Sequence, residues 1–273
     1  MKPNIKIDSN LKKILIIGAN GFLGTNVIQF RDRNKKIVEI SPDVILLTAA
    51  MTNVDQNEID KEFAIKINTE GPKNVLAACK KIDSKLIFMS TDFVFDGKKQ
   101  GNYTENDTPN PLSHYAKTKF DAEQAIIHSE VEYIICRTAV LYGWNPQKLN
   151  FITWILKKLS NNEKLTIVTN QINNPTYVKN LAEIILILVE KDTGGIYHTV
   201  GKVSLSRYEM ALKCAEIFNY NSNLIIPINE INQKAIRPNN ASLDITKLKR
   251  LIGPDINIYS LGEGLKDMKI NRN

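Results

Sequence analysis

Lys13-Ile-Leu-Ile-Ile-Gly-Ala-Asn-Gly-Phe-Leu-Gly24 is the stretch whose reading decides the fold. The apolar run to Ile17 has no alternation, which marks a strand buried on both faces, as in a parallel sheet. Gly18, Gly21 and Gly24 then let the backbone turn sharply into a helix. The free N–H groups and positive dipole end of such a helix suit a pyrophosphate. The spacing is G-x-x-G-x-x-G rather than G-x-G-x-x-G, so the loop alone also fits a purely structural strand–helix turn.

Three more apolar runs follow: Val44 to Ala49, Lys85 to Ser90 and Tyr133 to Thr138. Helical patterns separate them over Lys61 to Ile82, where Gly71-Pro72 suits a break and restart, and over Ser113 to His128. Strand and helix alternate, which argues a doubly wound parallel α/β sheet. After Gly143 the rhythm changes. Helices are expected over Phe151–Leu159, Val178–Lys191 and Ser206–Phe218, with short strands near Leu165–Val168 and Ile196–Val200. The chain therefore reads as a dinucleotide-binding domain over 1–143, its sheet completed by parts of 160–200. A substrate-binding lobe over 144–273 packs on it and is not an independent module.

The chain has 273 residues, 43% of them hydrophobic and 24% charged, which excludes a largely disordered chain. No apolar run reaches the ~20 residues that a membrane span needs. The net charge of +7 comes from scattered lysine pairs such as Lys12-Lys13 and Lys157-Lys158. With no basic stripe interleaved with aromatics, neither nucleic acid nor membrane is an expected partner. Cys79, Cys136 and Cys214 have no metal-ligand spacing, so no metal is expected. They read as buried thiols in a reducing, cytoplasmic compartment.

Two further elements carry chemistry. Tyr115 and Lys119 lie at i and i+4, on one face of a helix. A phenol is a poor acid–base group near its ordinary pKa of ~10, and a neighbouring ammonium is expected to lower it. Such a pair can pass a proton to or from a substrate oxygen. Thr91 closes a buried strand within Ser90-Thr-Asp92, where ligands bind in sheets of this kind. Taken singly, the pair fits a helix surface and the triplet fits turn chemistry.

Together, a nucleotide loop, a strand-end hydroxyl and a downstream Tyr–Lys pair describe the short-chain dehydrogenase superfamily. Pro42-Asp-Val-Ile-Leu-Leu-Thr-Ala-Ala50, Ser90-Thr-Asp-Phe-Val-Phe-Asp-Gly97, Arg137-Thr-Ala-Val-Leu-Tyr-Gly143, Asn174-Pro-Thr176 and Ala235-Ile-Arg-Pro238 narrow it further. In this order, over roughly residues 13 to 250, the chain resembles the dTDP-4-dehydrorhamnose reductases. The resemblance implies NADPH or NADH as cofactor. It also implies a nucleotide-sugar substrate, a 4-keto-6-deoxyhexose reduced at C4, in dTDP-rhamnose biosynthesis. It makes Tyr115 the proton donor, Lys119 the holder of the nicotinamide ribose, and Thr91 the catalytic hydroxyl. Gly18, Gly21, Phe22, Leu23 and Gly24 would cradle the pyrophosphate, and Ala49, Ala50 and Met51 would line the cofactor. On the substrate side the resemblance points to Thr91, Asp92, Val140 and Arg237, the last facing the anionic diphosphate. A homodimer is left open.

The chain also departs from that pattern. Thr48 stands in place of Asn, Val140 in place of a Trp near the sugar, and Asn173 in place of Gly, where Asn tolerates a left-handed backbone. Only Thr25 to Ser41 separate the glycine loop from Pro42, too little for the usual second and third strands. Lys35–Ile40 is accordingly read as the tail of a helical crossover. The sheet is expected to lack two strands at one edge, leaving the first strand exposed or covered by Met1–Leu11. The adenosine pocket of the cofactor would then be poorly enclosed. Two other functions fit the same frame. One is a non-catalytic relative like the regulatory β subunit of methionine adenosyltransferase. The other is a different sugar-nucleotide enzyme, an epimerase or dehydratase, although Asp92-Phe93 lacks the second acid that a dehydratase needs.

Overall fold

The computed structural model describes residues 12–29, 42–191 and 193–271. Five strands form one all-parallel sheet: β1 (Ile14–Ile17), β2 (Val44–Leu47), β3 (Lys85–Thr91), β4 (Tyr133–Thr138) and β5 (Gly195–His198), in the order β1-β2-β3-β4-β5. Among the described residues β1 is an edge strand. The expectations placed on Lys35–Ile40 and on Met1–Leu11 lie outside the described residues.

The apolar runs are continuous because both faces of the sheet are covered. Val44 and Leu46 of β2, Ile87 and Met89 of β3, and Ile134 and Cys136 of β4 enter one core, together with α5 (Val178–Glu190). α1 (Phe22–Gln29) packs on α5 from the same side. Ile45, Leu47, Leu86, Phe88 and Ile135 point the other way, into a second core with α2 (Gly71–Ile82) and α3 (His114–Ile127). This period of two with both faces buried is the doubly wound arrangement.

The helix expected to break at Gly71-Pro72 does not break. Lys61–Ile65 runs into a π turn at Lys66–Glu70 and on into α2, with Gly71 helical at φ −54°. The wide turn carries Asn68, which is fully buried. π turns of this kind recur at functional sites.

A third core belongs to the C-terminal part. α4 (Phe151–Ser160), α6 (Arg207–Phe218) and α7 (Leu261–Ile270) enclose Ile152, Ile155, Met210, Cys214 and Leu265. Short strand pairs bind this lobe together: Leu165–Val168 with Ile225–Ile228, and Ile172–Asn173 with Leu205–Ser206. Capping boxes start all three helices, at Asn150, Ser206 and Ser260. Cys79, Cys136 and Cys214 are buried and free, and burial pushes each thiol up.

Candidate active site

A cleft of about 570 Å³ opens at the C-terminal ends of the strands, between sheet and lobe. On its cofactor side the glycine loop is held in one shape. Gly18 has φ +93°, and a Cβ there would come within 2.6 Å of the Ala49 nitrogen and of Thr48 Oγ1. A Cβ on Gly24 would meet the Gly18 carbonyl at 2.5 Å, so the helix can start against the loop only without one. Thr48 Oγ1 lies 3.1 Å from both the Ile17 and the Gly18 carbonyls and ties β2 to the turn. Gly21, Phe22 and Leu23 line the cleft at the first turn of α1, where helix geometry leaves backbone N–H groups unspent. Ala50 also lines it. Gly18, Gly24, Ala49 and Met51 are not among its lining residues. On the floor, the buried hydroxyls of Ser90 and Thr138 have no hydrogen-bond partner among the described residues. A glycine cradle on a helix start, with unsatisfied hydroxyls beyond it, fits a dinucleotide.

Met51 is fixed by buried amides. Asn68 Oδ1 accepts from the Met51 N–H at 2.8 Å, and its Nδ2 donates to the Met51 carbonyl, to Asn57 and to Thr118. Thr69 Oγ1 donates to the Thr118 carbonyl at 2.9 Å. The loop after β2 and the π turn are thereby pinned to α3, the helix that carries Tyr115 and Lys119. Asn57 and Asn68 have no local pattern that marks them in the sequence.

Ser113 caps α3, its Oγ accepting from the Ala116 N–H at 3.2 Å. Tyr115, Lys119 and Glu123 then follow at four-residue steps. Glu123 is fully buried and receives both Arg137 Nε, at 3.0 Å, and Nη2, at 2.7 Å. This two-pronged bond from β4 clamps the helix on the sheet. The structure brings Thr91, Tyr115 and Lys119 to the same cleft. Thr91 Oγ1 accepts from the Phe93 N–H at 3.2 Å and donates to Asp92 Oδ1 at 3.1 Å.

The electrostatics differ from the expectation that the ammonium lowers the phenol. Burial pushes Tyr115 up to about 12, with the Thr91 hydroxyl opposing the rise and the Asp92 charge adding to it. Burial also pulls Lys119 down to about 7, against the pull of Glu123. Its Nζ lies 3.9 Å from the centroid of the Phe88 ring. Lys119 is buried and Tyr115 is half-buried, and for both groups loss of solvation is the dominant cause. Asp92 is buried too and is pushed up to about 7, its Oδ2 accepting from Asn173 Nδ2 at 2.5 Å.

Asn173 thus acts through its amide, in extended backbone, rather than as a left-handed substitute for glycine. The left-handed residue of this wall is Val140, at φ +43°, which lines the cleft. A β-branched side chain in that region stores strain.

Arg237 does not reach the lining. Its guanidinium makes bonds of 2.9 and 3.1 Å to Asp55 and a third to the Ala235 carbonyl at 3.1 Å. That contact holds the Asp55 carboxyl below the usual range. Arg207 lines the cleft in its place, stacked 4.7 Å over the Phe151 ring. It starts α6 as an ordinary helix residue after a capping serine, so nothing in the sequence singled it out.

Comparison with known proteins agrees with this geometry. The model of the RmlD substrate binding domain matches residues 31–269. A dTDP-4-dehydrorhamnose reductase of Aggregatibacter actinomycetemcomitans is 30% identical, with 89% of this chain and 94% of that protein covered. The methionine adenosyltransferase 2 subunit beta of Xenopus tropicalis is 34% identical, over 79% of this chain and 66% of that protein. The structure of dTDP-4-dehydrorhamnose reductase from Bacillus anthracis, in complex with NADP, superposes with a TM-score of 0.88 at 30% identity, covering 95% of this chain and 99% of that one. A strand-end threonine, a Tyr–Lys pair and a glycine cradle on one cleft, in a chain matched over this length, leave one assignment: the protein belongs to the RmlD substrate binding domain family.

Proposed function

We propose that the protein reduces the C4 ketone of a nucleotide-linked 4-keto-6-deoxyhexose, dTDP-4-dehydrorhamnose to dTDP-rhamnose, with NADPH or NADH. The observation that carries this reading is the meeting of Thr91, Tyr115 and Lys119 with the glycine loop on a single cleft. When bound, the nicotinamide supplies a hydride to the C4 carbon. Tyr115 Oη holds the proton that the C4 oxygen takes up, completing the alcohol. A phenol at about 12 stays protonated at neutral pH, which suits a proton donor in the direction of reduction. Thr91 Oγ1 supplies a second hydrogen bond to the same oxygen, its one proton turning from Asp92 Oδ1 to the ligand. Lys119 holds the ribose hydroxyls, its Nζ set over the Phe88 ring. Gly21, Phe22 and Leu23 offer backbone N–H groups to the pyrophosphate, with Gly18 and Gly24 shaping the loop behind them.

The division into a dinucleotide-binding part over 1–143, its sheet completed by parts of 160–200, and a substrate lobe mainly over 144–273 belongs to the same reading, supported by the separate core of α4, α6 and α7. Three free buried thiols support a cytoplasmic setting, and no helix among the described residues is long and apolar enough to cross a membrane. A homodimer belongs to the same reading.

The test is to mix protein, dTDP-4-dehydrorhamnose and NADPH and to follow loss of reduced-cofactor absorbance. Consumption matched by dTDP-rhamnose supports the reading. Tight NADPH binding without turnover favours the second reading, a regulatory subunit, which rests on the 34% identity to a methionine adenosyltransferase subunit.

A further inference from the structure

Two arginines stand near the substrate side of the cleft, close enough for each to repel the other's charge. Their hydrogen bonding is opposite. Arg237 gives its guanidinium to Asp55 and to a carbonyl, so its charge is neutralised within the protein. The Arg207 backbone N–H donates to the Gln171 carbonyl at 3.0 Å, but its guanidinium has no hydrogen-bond acceptor among the described residues. Its guanidinium carbon lies 4.7 Å from the centroid of the Phe151 ring, a contact that leaves the N–H fork unspent. The nearest negative charge is Asp92, but the hydrogen bonds of that carboxyl go to Thr91 and Asn173. Burial pulls Arg207 down to about 10, so it stays charged at neutral pH. A half-buried guanidinium without an acceptor is costly unless a ligand completes it. Lys148 lines the same wall and adds a second cation.

We propose that Arg207 is the anchor for the diphosphate of the nucleotide-linked substrate, with Phe151 as the platform that orients it. The proposal rests on the reductase reading for the identity of that substrate. A diphosphate presents paired oxygens that match the planar fork, and the bond they form is charge-assisted. The cofactor's own pyrophosphate is served by the glycine loop, so Arg207 discriminates between the two anions by position. Arg237, bound to Asp55, braces the lobe instead.

Calorimetric titration of the full chain with dTDP, thymidine and NADPH, each alone, tests this without relying on turnover. Arg207→Gln is expected to weaken dTDP about ten- to a hundredfold. Thymidine and NADPH should bind as to wild type. Arg207→Lys keeps the charge without the fork and should fall between. It also decides the matter if the glutamine variant does not fold. Unchanged dTDP affinity in both variants overturns the proposal. So does a loss that falls on NADPH, which would assign Arg207 to the cofactor, or a wild-type chain that binds no dTDP. A wild-type chain that binds dTDP through Arg207 but never consumes NADPH with the keto sugar sustains the anchor and removes the reductase reading.

Discussion

On the sheet side of the cleft the groups proposed to react ride on regular elements: Thr91 on a strand end, Tyr115 and Lys119 on one helix face, with Glu123 a turn beyond. On the lobe side the groups come from turns and helix starts: Val140 in a left-handed backbone, Asn173 on a two-residue strand, Arg207 at the head of α6. The first side is held by buried polar bonds that leave its geometry little freedom, such as Arg137 to Glu123 and Asn68 to Met51. The second is held by contacts between segments distant in sequence, Asp92 to Asn173 and Asp55 to Arg237. In the proposed reaction, chemistry that needs sub-ångström placement sits on the rigid side. Recognition of a large ligand, in the same proposal, sits on the side where single residues can be exchanged, as Val140 and Asn173 are.

The contrast can be broken most severely at the phenol. Tyr115→Phe should lower turnover by ~10²–10⁴-fold with melting temperature and NADPH affinity little changed. Wild-type-like kinetics in that variant would remove Tyr115 from the proton path and with it the asymmetry between the two sides.

The rigidity of the sheet side is tested at its clamp. Glu123→Gln leaves the Arg137 charge buried without a counter-charge, and loss of one partner of such a pair costs about 3–5 kcal/mol. Chemical denaturation reads the loss directly. A variant as stable as wild type would mean that α3 is held by packing alone.

A pH series sharpens the role of Asp92, which joins the two sides. Its folded pKa is raised to about 7, so the native state keeps a proton that the unfolded chain releases from about pH 4 upward. Its contribution is fully present below about pH 4 and is lost as pH rises through 7. Asp92→Asn should therefore be more stable than wild type at pH 8, by on the order of a few kcal/mol, with no such gain at pH 4. Equal stability curves at both pH values would show that Asp92 is ionised in the folded protein without penalty.

The smallest effect is expected at the brace. Asp55 is more than a third exposed, and pairs of this kind contribute ~1 kcal/mol or less. Asp55→Ala should lower the melting point slightly and leave dTDP affinity unchanged. A gain in dTDP affinity would show that the released Arg237 also reaches the diphosphate.

The strands and the helix that carries Tyr115 and Lys119 were legible in the sequence alone. An apolar run without alternation requires cover on both faces, so β1 to β4 were legible from residues 14–17, 44–47, 85–91 and 133–138. The spacing of Tyr115 and Lys119 is geometry internal to one helix, set by 3.6 residues per turn. The glycine loop was legible because only glycine tolerates φ +93° beside Ala49. The pKa values were not, since they depend on how much water reaches Tyr115 and Lys119, and that is settled only when Phe88, Phe93 and the lobe close around them. Nor was the arginine that faces the cleft. Asp55 and Arg237 are 182 residues apart, and Asp92 and Asn173 are 81 apart. No local period records such pairings. Which guanidinium is neutralised and which is left for a ligand was decided by the packing of the lobe against the sheet, because a charge finds its partner only after both segments have been brought out of solvent together.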